Sequence, residues 1–374
     1  MKHITLVLNV GSSSVKFAVA QGHTIVLHGS IDHLGKQAIV HIVGKKHETN
    51  ATANIPTIAS ALVAVQQILS DKNITPNRIA HRIVHGGQRF SKPTQLTSSA
   101  INYLHSLIEL APLHQPANLL GVTFAKKVWP RASEWGVFDT GLYHDLPIAV
   151  RTYALPKALT DKLHIRKYGF HGISHGWAFH QAVKKLRRPA KTTSAVSLHL
   201  GSGASMTLWH NGRAVDTTMG FTPLEGLVMA TRSGDIDPAI PLYIQQKLGW
   251  TAKKTEQMLE QRAGLIGLSG LKDMRDVLTA AGHPVPGWKH GVWSGTQRAE
   301  AALALKMFVY HAQRTLSGYL GLLAKPNAII FTGPIGENTT IQRLIIGGIP
   351  AARGIHIVSV HANEEQAIVE ALDA

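Results

Sequence analysis

Apolar and polar positions alternate from Ser197 through Leu200, break at the small-residue turn GSGAS, resume from Met206 to Trp209 and stop at His210-Asn211-Gly212, which predicts a β-hairpin. The same pattern occurs at the N-terminus: LNVGSSSVKFAVAQG lies on LHLGSGASMTLWHNG without a gap, Leu8 on Leu198, an offset of 190 residues (198 − 8). Gly11, Ser12 and Gly22 fall on Gly201, Ser202 and Gly212. After the first hairpin, Ile25–Ile31 and Ala38–Val43 read as further apolar segments. A 3.6-residue period then predicts a helix over Thr57–Leu69, with Ile58, Leu62, Val65 and Ile68-Leu69 on one face. Asn77–Val84 reads as a buried strand and Gly136–Phe138 as a strand, with a helix through Lys127 between them. In the second half a helix with Ser174 as its N-cap ends in the basic run Lys184–Arg188. A long helix over Thr296–Leu323 leads into a strand, Ala328–Phe331, and a glycine-rich turn, TGPIGENT, that opens another helix.

A repeat at about half the chain length points to duplication of a whole domain. The expected fold class is therefore α/β with two equivalent halves. Each hairpin turn of Gly and Ser leaves backbone N–H groups without a Cβ to block close approach, which suits phosphate oxygens; an ordinary turn is the plainer alternative. Two such turns on opposite walls would make a nucleotide site.

Composition narrows the reading. With 374 residues, 44% hydrophobic and 16% charged, the chain is long enough for two globular domains. No apolar run approaches the ~20 residues of a membrane span, and the short alternating run after Met1 lacks the marks of a signal peptide. There are no cysteines, so disulfides and thiolate metal sites are excluded. Lys plus Arg outnumber Asp plus Glu by 38 to 22, with 22 histidines besides. These cations are dispersed, which favours a global field, or a solubility or habitat trait, over a nucleic-acid patch.

Several residues carry candidate chemistry. HRIVHGG places Arg82 at a strand end beside two glycines, where its planar fork meets a carboxylate or phosphoryl group or makes a structural ion pair. His114 is held between Pro112 and Pro116. In GVFDTG, Asp139 follows a strand, where open α/β sheets put their chemistry, although a turn cap is the commoner role. In YGFHGISH the glycines place His171 in a turn, and no HExxH glutamate accompanies His171 and His175, so a catalytic or phosphate-contacting His171 is favoured over zinc. The turn-rich stretch GFTPLEGLVMATRSGDIDPAIP reads as a rigid loop that positions Arg232, with Asp235 and Asp237 as caps.

In order, NVGSSSVKF, HRIVHGG, LAPLHQPAN, VFDTG, YGFHGISH, HLGSGAS, DTTMGFTPLEGLVMATRSGDIDPA, GLSGLKDMRD, GPIGEN and ANEE resemble the acetate kinase family over nearly the whole chain. The resemblance implies duplicated ribonuclease-H-like, actin-like ATPase domains with a nucleotide cleft between them: residues 1–145, joined by a C-terminal helix at 365–374, and 146–364. It also implies a cytoplasmic homodimer that moves a phosphoryl group reversibly between ATP and acetate, giving ADP and acetyl phosphate, with Mg²⁺ or alternatively Mn²⁺. Nucleic acid and membrane are not among the implied partners.

Carried over by position, Asn9 and Glu364 would organise the metal. Lys16, the turn His199, Leu200, Gly201, Ser202 and Gly203, then Asp273, Met274 and Arg275, and Pro334, Ile335, Gly336, Glu337 and Asn338 would hold the nucleotide. Arg82, Val84, Leu113, His114, Phe170 and Pro223 would surround the acyl substrate, and Arg82, Asp139, His171 and Arg232 would be catalytic. Ser202 and Gln115 stand where the family usually has Asn, Pro334 where it has Gly, and the stretch between Ile349 and Val358 is shorter. Ser202 loses an amide's reach and Pro334 offers no N–H. A propionate or other short-chain carboxylate kinase, or a weakly active nucleotide-binding relative, are the competing expectations.

Overall fold

The computed structural model describes residues 3–44, 48–289 and 291–373; Met1, Lys2, Lys45–His47, His290 and Ala374 lie outside it, and with them the first residues of the expected N-terminal domain and the last of the expected C-terminal helix. Two units emerge: Met1–His144 with Phe170–Gly176 and Asn363–Ala374, and Asp145–Gly169 with Trp177–Ala362.

In the first unit eight strands form one sheet: β1 (Ile4–Val10), β2 (Val15–Gln21), β3 (Thr24–Asp32), β4 (Gly35–Gly44), β5 (Glu48–Ile55), β6 (Arg78–Ile83), β7 (Thr94–Gln95) and β8 (Ser133–Phe138), in the order β5-β4-β3-β2-β1-β6-β8-β7. The second unit carries β9 (Ala195–Leu200), β10 (Ala204–His210), β11 (Arg213–Thr217), β12 (Ala328–Thr332) and β13 (His356–Ser359), in the order β11-β10-β9-β12-β13. The five central strands of the first sheet, β3-β2-β1-β6-β8, have the same connectivity: two antiparallel steps on one side, two parallel steps on the other. This is the duplicated ribonuclease-H-like architecture of the actin-like ATPases, and the repeated hairpins are β1/β2 and β9/β10.

Pairing corrects the gapless repeat. Val10 pairs with Val15 around Gly11–Ser14, whereas Leu200 pairs with Ala204 around Gly201–Gly203, so the second turn is one residue shorter. A slip of one residue exchanges the faces of a strand, yet both second strands are almost wholly buried and tolerate it. Other expectations shift too. The helix Gly172–Leu186 starts before Ser174, which is buried within its first turn and does not cap it. By contrast, Thr57 caps the helix Ile58–Asp71 in a reciprocal box with Ser60.

Both faces of the first sheet are covered. On one, Leu6, Leu8, Phe17 and Val19 meet Leu62, Val65 and Leu69 of the helix Ile58–Asp71 and Ala117 and Ala125 of the helix Gln115–Val128. On the other, the small side chains of Ala18, Ala20 and Ala80 admit Ile368 and Val369 of the C-terminal helix Glu364–Ala371. That helix is tied to β6 at both ends: Arg78 grips Asp373 at 2.6 and 3.2 Å, and Arg82 meets Glu364 at 3.1 Å. The spacing matches. Four residue steps along the strand from Arg78 to Arg82 span about 13 Å, and the helix Glu364–Ala371 with the turn to Asp373 covers a similar length, at about 1.5 Å per residue.

Just beyond β6, His85 is fully buried. Its Nδ1 accepts the Gly87 N–H at 2.9 Å, and its ring meets Phe170 edge-on at 5.6 Å. Burial lowers its pKa to about 4. The folded state thus prefers the neutral ring, so its contribution to stability is complete above the unfolded pKa of about 6.5 and is lost as pH falls toward 4. Denaturant titrations should show His85→Asn, which keeps an acceptor but cannot titrate, losing less stability than wild type between pH 7 and pH 4, by about 3 kcal/mol. Parallel pH curves for the two proteins would remove His85 as the cause.

Candidate active site

Three adjacent parallel strands of the first unit deliver side chains at their carboxyl ends, the position where open α/β sheets hold ligands. Asn9 is the penultimate residue of β1, Arg82 the penultimate residue of β6, and Asp139 the first after β8, its N–H donating to Ile83 O at 3.0 Å. Arg82 places its fork on Asp139, Nε to Oδ1 at 3.2 Å and Nη2 to Oδ2 at 2.7 Å. Its Nη1 donates to Asn9 Oδ1 at 3.2 Å and lies 3.1 Å from Glu364 Oε2. The Asn9 amide closes the ring, donating to Glu364 Oε2 at 3.1 Å and Glu365 Oε1 at 3.4 Å. Lys16 stands directly opposite Asn9 across the hairpin.

Electrostatics follow from burial. Asp139 is only 1% exposed. Burial drives its pKa above the ordinary carboxylate value, Arg82 pulls it back, and Glu364 adds to the rise. Burial opposes charge on Arg82 as well, but Asp139, Glu364 and Glu365 more than offset it and raise its pKa. The guanidinium is therefore charged at any working pH, with three carboxylates around it.

Of the expected acyl-site residues, Val84 donates its N–H to Asn118 Oδ1 at 2.9 Å, Leu113 is partly exposed, and His114 precedes the helix Gln115–Val128 at its N-cap. The Gln115 side chain is committed to structure, bridging His85 N–H, His85 O and Leu104 O. Phe170 is buried against His85. His171 adopts a left-handed φ of 59°, rare for a non-glycine residue, and the next amide, Gly172 N–H, donates to Asp139 O at 2.9 Å.

In the second unit the turns after β9 and β12 meet. Leu200 O accepts from Ile335 N–H at 2.9 Å and Gly336 N–H at 3.0 Å, and Ser202 O accepts from Ala230 N–H at 3.2 Å. A Cβ at Gly333, whose φ is 82°, would stand 2.7 Å from Leu200 O, so the close approach requires glycine there. Pro334 lies between that glycine and the two amides bound to Leu200. His199 is paired across the sheet with Ser205 on one side and Thr332 on the other. Asn338 caps the helix Thr339–Gly347. Glu337 accepts the Ala362 N–H at 3.2 Å and meets His361 at 2.9 Å. Asp273 caps the helix Met274–Ala280 and binds Arg275 through two contacts of 2.9 and 2.6 Å, while the guanidinium stacks 3.6 Å from the Trp288 ring. Asp237 caps a local turn, accepting from Ala239 N–H, whereas Asp235 does not cap one: its carboxylate and N–H bridge back across the loop to Gly226 N–H and O, nine residues earlier.

Arg232 pairs with Glu260 at 3.3 Å and donates to Pro223 O at 3.3 Å. Burial lowers its pKa while Glu260 raises it. Sequence reasoning missed Glu260 and Glu365. Glu365 lies in the ANEE motif beside Glu364, whereas Glu260 lies in none of the matched motifs.

The Acetokinase family pattern matches residues 4–370. An acetate kinase of Geobacillus kaustophilus is 38% identical over 371 residues, covering 95% of this chain and 88% of the relative. An acetate kinase of Arthrobacter sp. (strain FB24) is 36% identical over 360 residues, with 95% and 88% covered. Among solved structures, a propionate kinase from Francisella tularensis aligns with a TM-score of 0.88 at 33% identity, covering 99% of both chains, and Porphyromonas gingivalis acetate kinase aligns at 0.82 and 28%, covering 98% of both. A chain with this duplicated fold, this arginine–carboxylate ring and these relatives belongs to the acetokinase family.

Proposed function

We propose that this chain transfers a phosphoryl group reversibly between ATP and acetate, giving ADP and acetyl phosphate. The single observation that carries the reading is the Arg82 fork fixed by Asp139 at the carboxyl ends of three parallel strands. An acetate oxygen attacks the γ-phosphorus and the bond to the ADP oxygen breaks; no proton moves, because a carboxylic acid is already ionised at pH 7. Both Asp139 oxygens are committed to Arg82, which suits orientation rather than base catalysis. Arg82 and Arg232 supply charge for the loose transition state, with His171 as a further donor to the transferring group. The turns 199–203 and 333–338, Lys16, and Asp273 with Met274 and Arg275 are assigned to the nucleotide, and Val84, Leu113, His114, Phe170 and Pro223 to the acyl group.

The residues present fit Mg²⁺. Around Asn9 are the hard oxygens of Glu364 and Glu365, and Asp139 lies on the other side of Arg82. Among the described residues no three His, Asp or Glu side chains converge as ligands, which accords with a cation held by one or two protein oxygens, water and substrate phosphates. Such a cation, or Mn²⁺, would neutralise phosphate oxygens. We assign the chain to the cytoplasm on the strength of the family resemblance. Separately, no described helix is long and apolar enough to cross a membrane. A homodimer through the helix Ala239–Leu248 is supported by its lack of any buried residue, with Leu242 and Tyr243 each 60% exposed.

Three measurements test these assignments. In a coupled acetyl phosphate assay, Arg82→Ala should lower kcat/KM by at least ~10², with Arg82→Lys recovering only part; near wild-type turnover in folded Arg82→Ala would refute the role. Because a methylene is worth about 10- to 200-fold in an apolar pocket, kcat/KM should favour acetate over propionate within that range, and Val84→Ala should narrow the ratio through KM. A wild-type ratio at or below one would make propionate the substrate, the alternative raised by the Francisella neighbour. Sedimentation should give a dimer that Leu242→Glu dissociates; a monomeric wild type would refute the interface.

A further inference from the structure

Arg232 sits in a loop that has no regular structure of its own yet is anchored to the C-terminal turn of the helix Ala252–Gln261. Ser233 N–H donates to Leu259 O at 3.1 Å, Thr231 Oγ1 to Glu260 O at 2.8 Å, and Ala263 N–H to Thr231 O at 3.1 Å. From the same turn the Glu260 side chain reaches Arg232 Nε at 3.3 Å, and both side chains are about 15% exposed, at 15% and 14%. A second contact of the guanidinium is Pro223 O, at 3.3 Å from Nη1. Pro223 is in turn flanked by a partly buried network: Tyr153 donates its hydroxyl to Glu225 and accepts the Phe221 N–H at 2.8 Å, and Lys167 reaches Glu225 Oε1 at 2.9 Å and Thr217 O at 3.0 Å. Loop backbone and guanidinium are thus referenced to one helix end and one carbonyl. An arginine side chain has several rotatable bonds, and a contact on Nε removes the rotation that would otherwise swing the fork.

We propose that Glu260 is the positioning residue of Arg232, doing in the second unit what Asp139 does for Arg82 in the first: it holds a half-buried guanidinium charged and aimed, so that transition-state charge meets an oriented donor. The proposal rests on Arg232 contacting the transferring phosphoryl group. Glu260 itself touches no substrate. Its charge is spent on the arginine, so its removal should cost the chemical step more than ground-state binding of either substrate.

The test compares Glu260→Gln, Glu260→Asp, Arg232→Ala and the double variant Arg232→Ala/Glu260→Gln, each checked for folding by thermal melt. Expected are a loss of at least ~10² in kcat for Arg232→Ala and about 10-fold or more for Glu260→Gln, with KM for ATP and acetate within about threefold. Glu260→Asp should recover part of kcat, and Glu260→Gln should cost nothing further once Arg232 is gone. Added guanidinium ion should restore turnover to Arg232→Ala and fail to do so in the double variant. A Glu260→Gln kcat within twofold of wild type, or losses that multiply in the double variant, would overturn the positioning role while leaving that of Arg232 standing. Full activity in Arg232→Ala would instead refute the reading on which it rests.

Discussion

A guanidinium taken out of water must be matched by carboxylate, and the first unit is built around that requirement at Arg82. Desolvation of an arginine without a partner is prohibitive, so the register of β6 against β8 brings Asp139 to its fork and the C-terminal helix brings Glu364. The helix can do this only because Ala18, Ala20 and Ala80 leave room for it and Arg78 fixes its far end through Asp373. A larger side chain at any of these alanines would lift the helix and unseat Glu364. Core packing and site chemistry are the same constraint here.

Duplication supplied two copies of one scaffold, and the copies have diverged in what they carry. With Leu8 aligned on Leu198, Asn9 corresponds to His199, and the pairing of Leu8 with His81 and of Leu198 with Phe331 makes Thr332 the counterpart of Arg82. The first unit therefore ends two of its three parallel strands in charge, at Arg82 and Asp139, the second in a small hydroxyl and glycine turns whose backbones approach closely. Charged side chains suit an anionic acyl and phosphoryl group; backbone amides at crowded turns suit phosphates.

The chain is strongly basic, at +16, yet both arginines given to the chemistry sit among acidic side chains. With only 22 acidic residues in the chain, carboxylates placed on Arg82 and Arg232 are a selective use of a scarce group. A dispersed positive field draws anionic substrates to the protein. At the reacting atoms, geometry matters more than net charge, and a fixed arginine contributes more than a mobile one.

Local pattern determined a good part of this protein. The repeated hairpin, the helix capped by Thr57, the strands ending near Arg82 and Asp139, and the long helix Gly295–Gly321 were all legible, because periodicity and turn chemistry act over a few residues. The motif order carried the family, and with it the reaction. What the pattern hid was decided by partners far along the chain. Strand β5, ETNATANI, is largely polar and exposed over its first five residues and reaches the core only at Ala53 and Ile55, so its alternation is weak; it exists because β4 offers an unpaired edge. Ser174 has the chemistry of a cap but lies inside a helix that begins two residues earlier. The shorter second turn appears only in the pairing. Glu364 meets Arg82 from the opposite end of the chain, and Glu260 meets Arg232 from a separate helix, so no spacing rule could reveal either. Sequence named the arginines proposed for phosphoryl chemistry; only tertiary packing, by bringing scarce carboxylates onto half-buried guanidinium groups, decided that Arg82 and Arg232 are held in place.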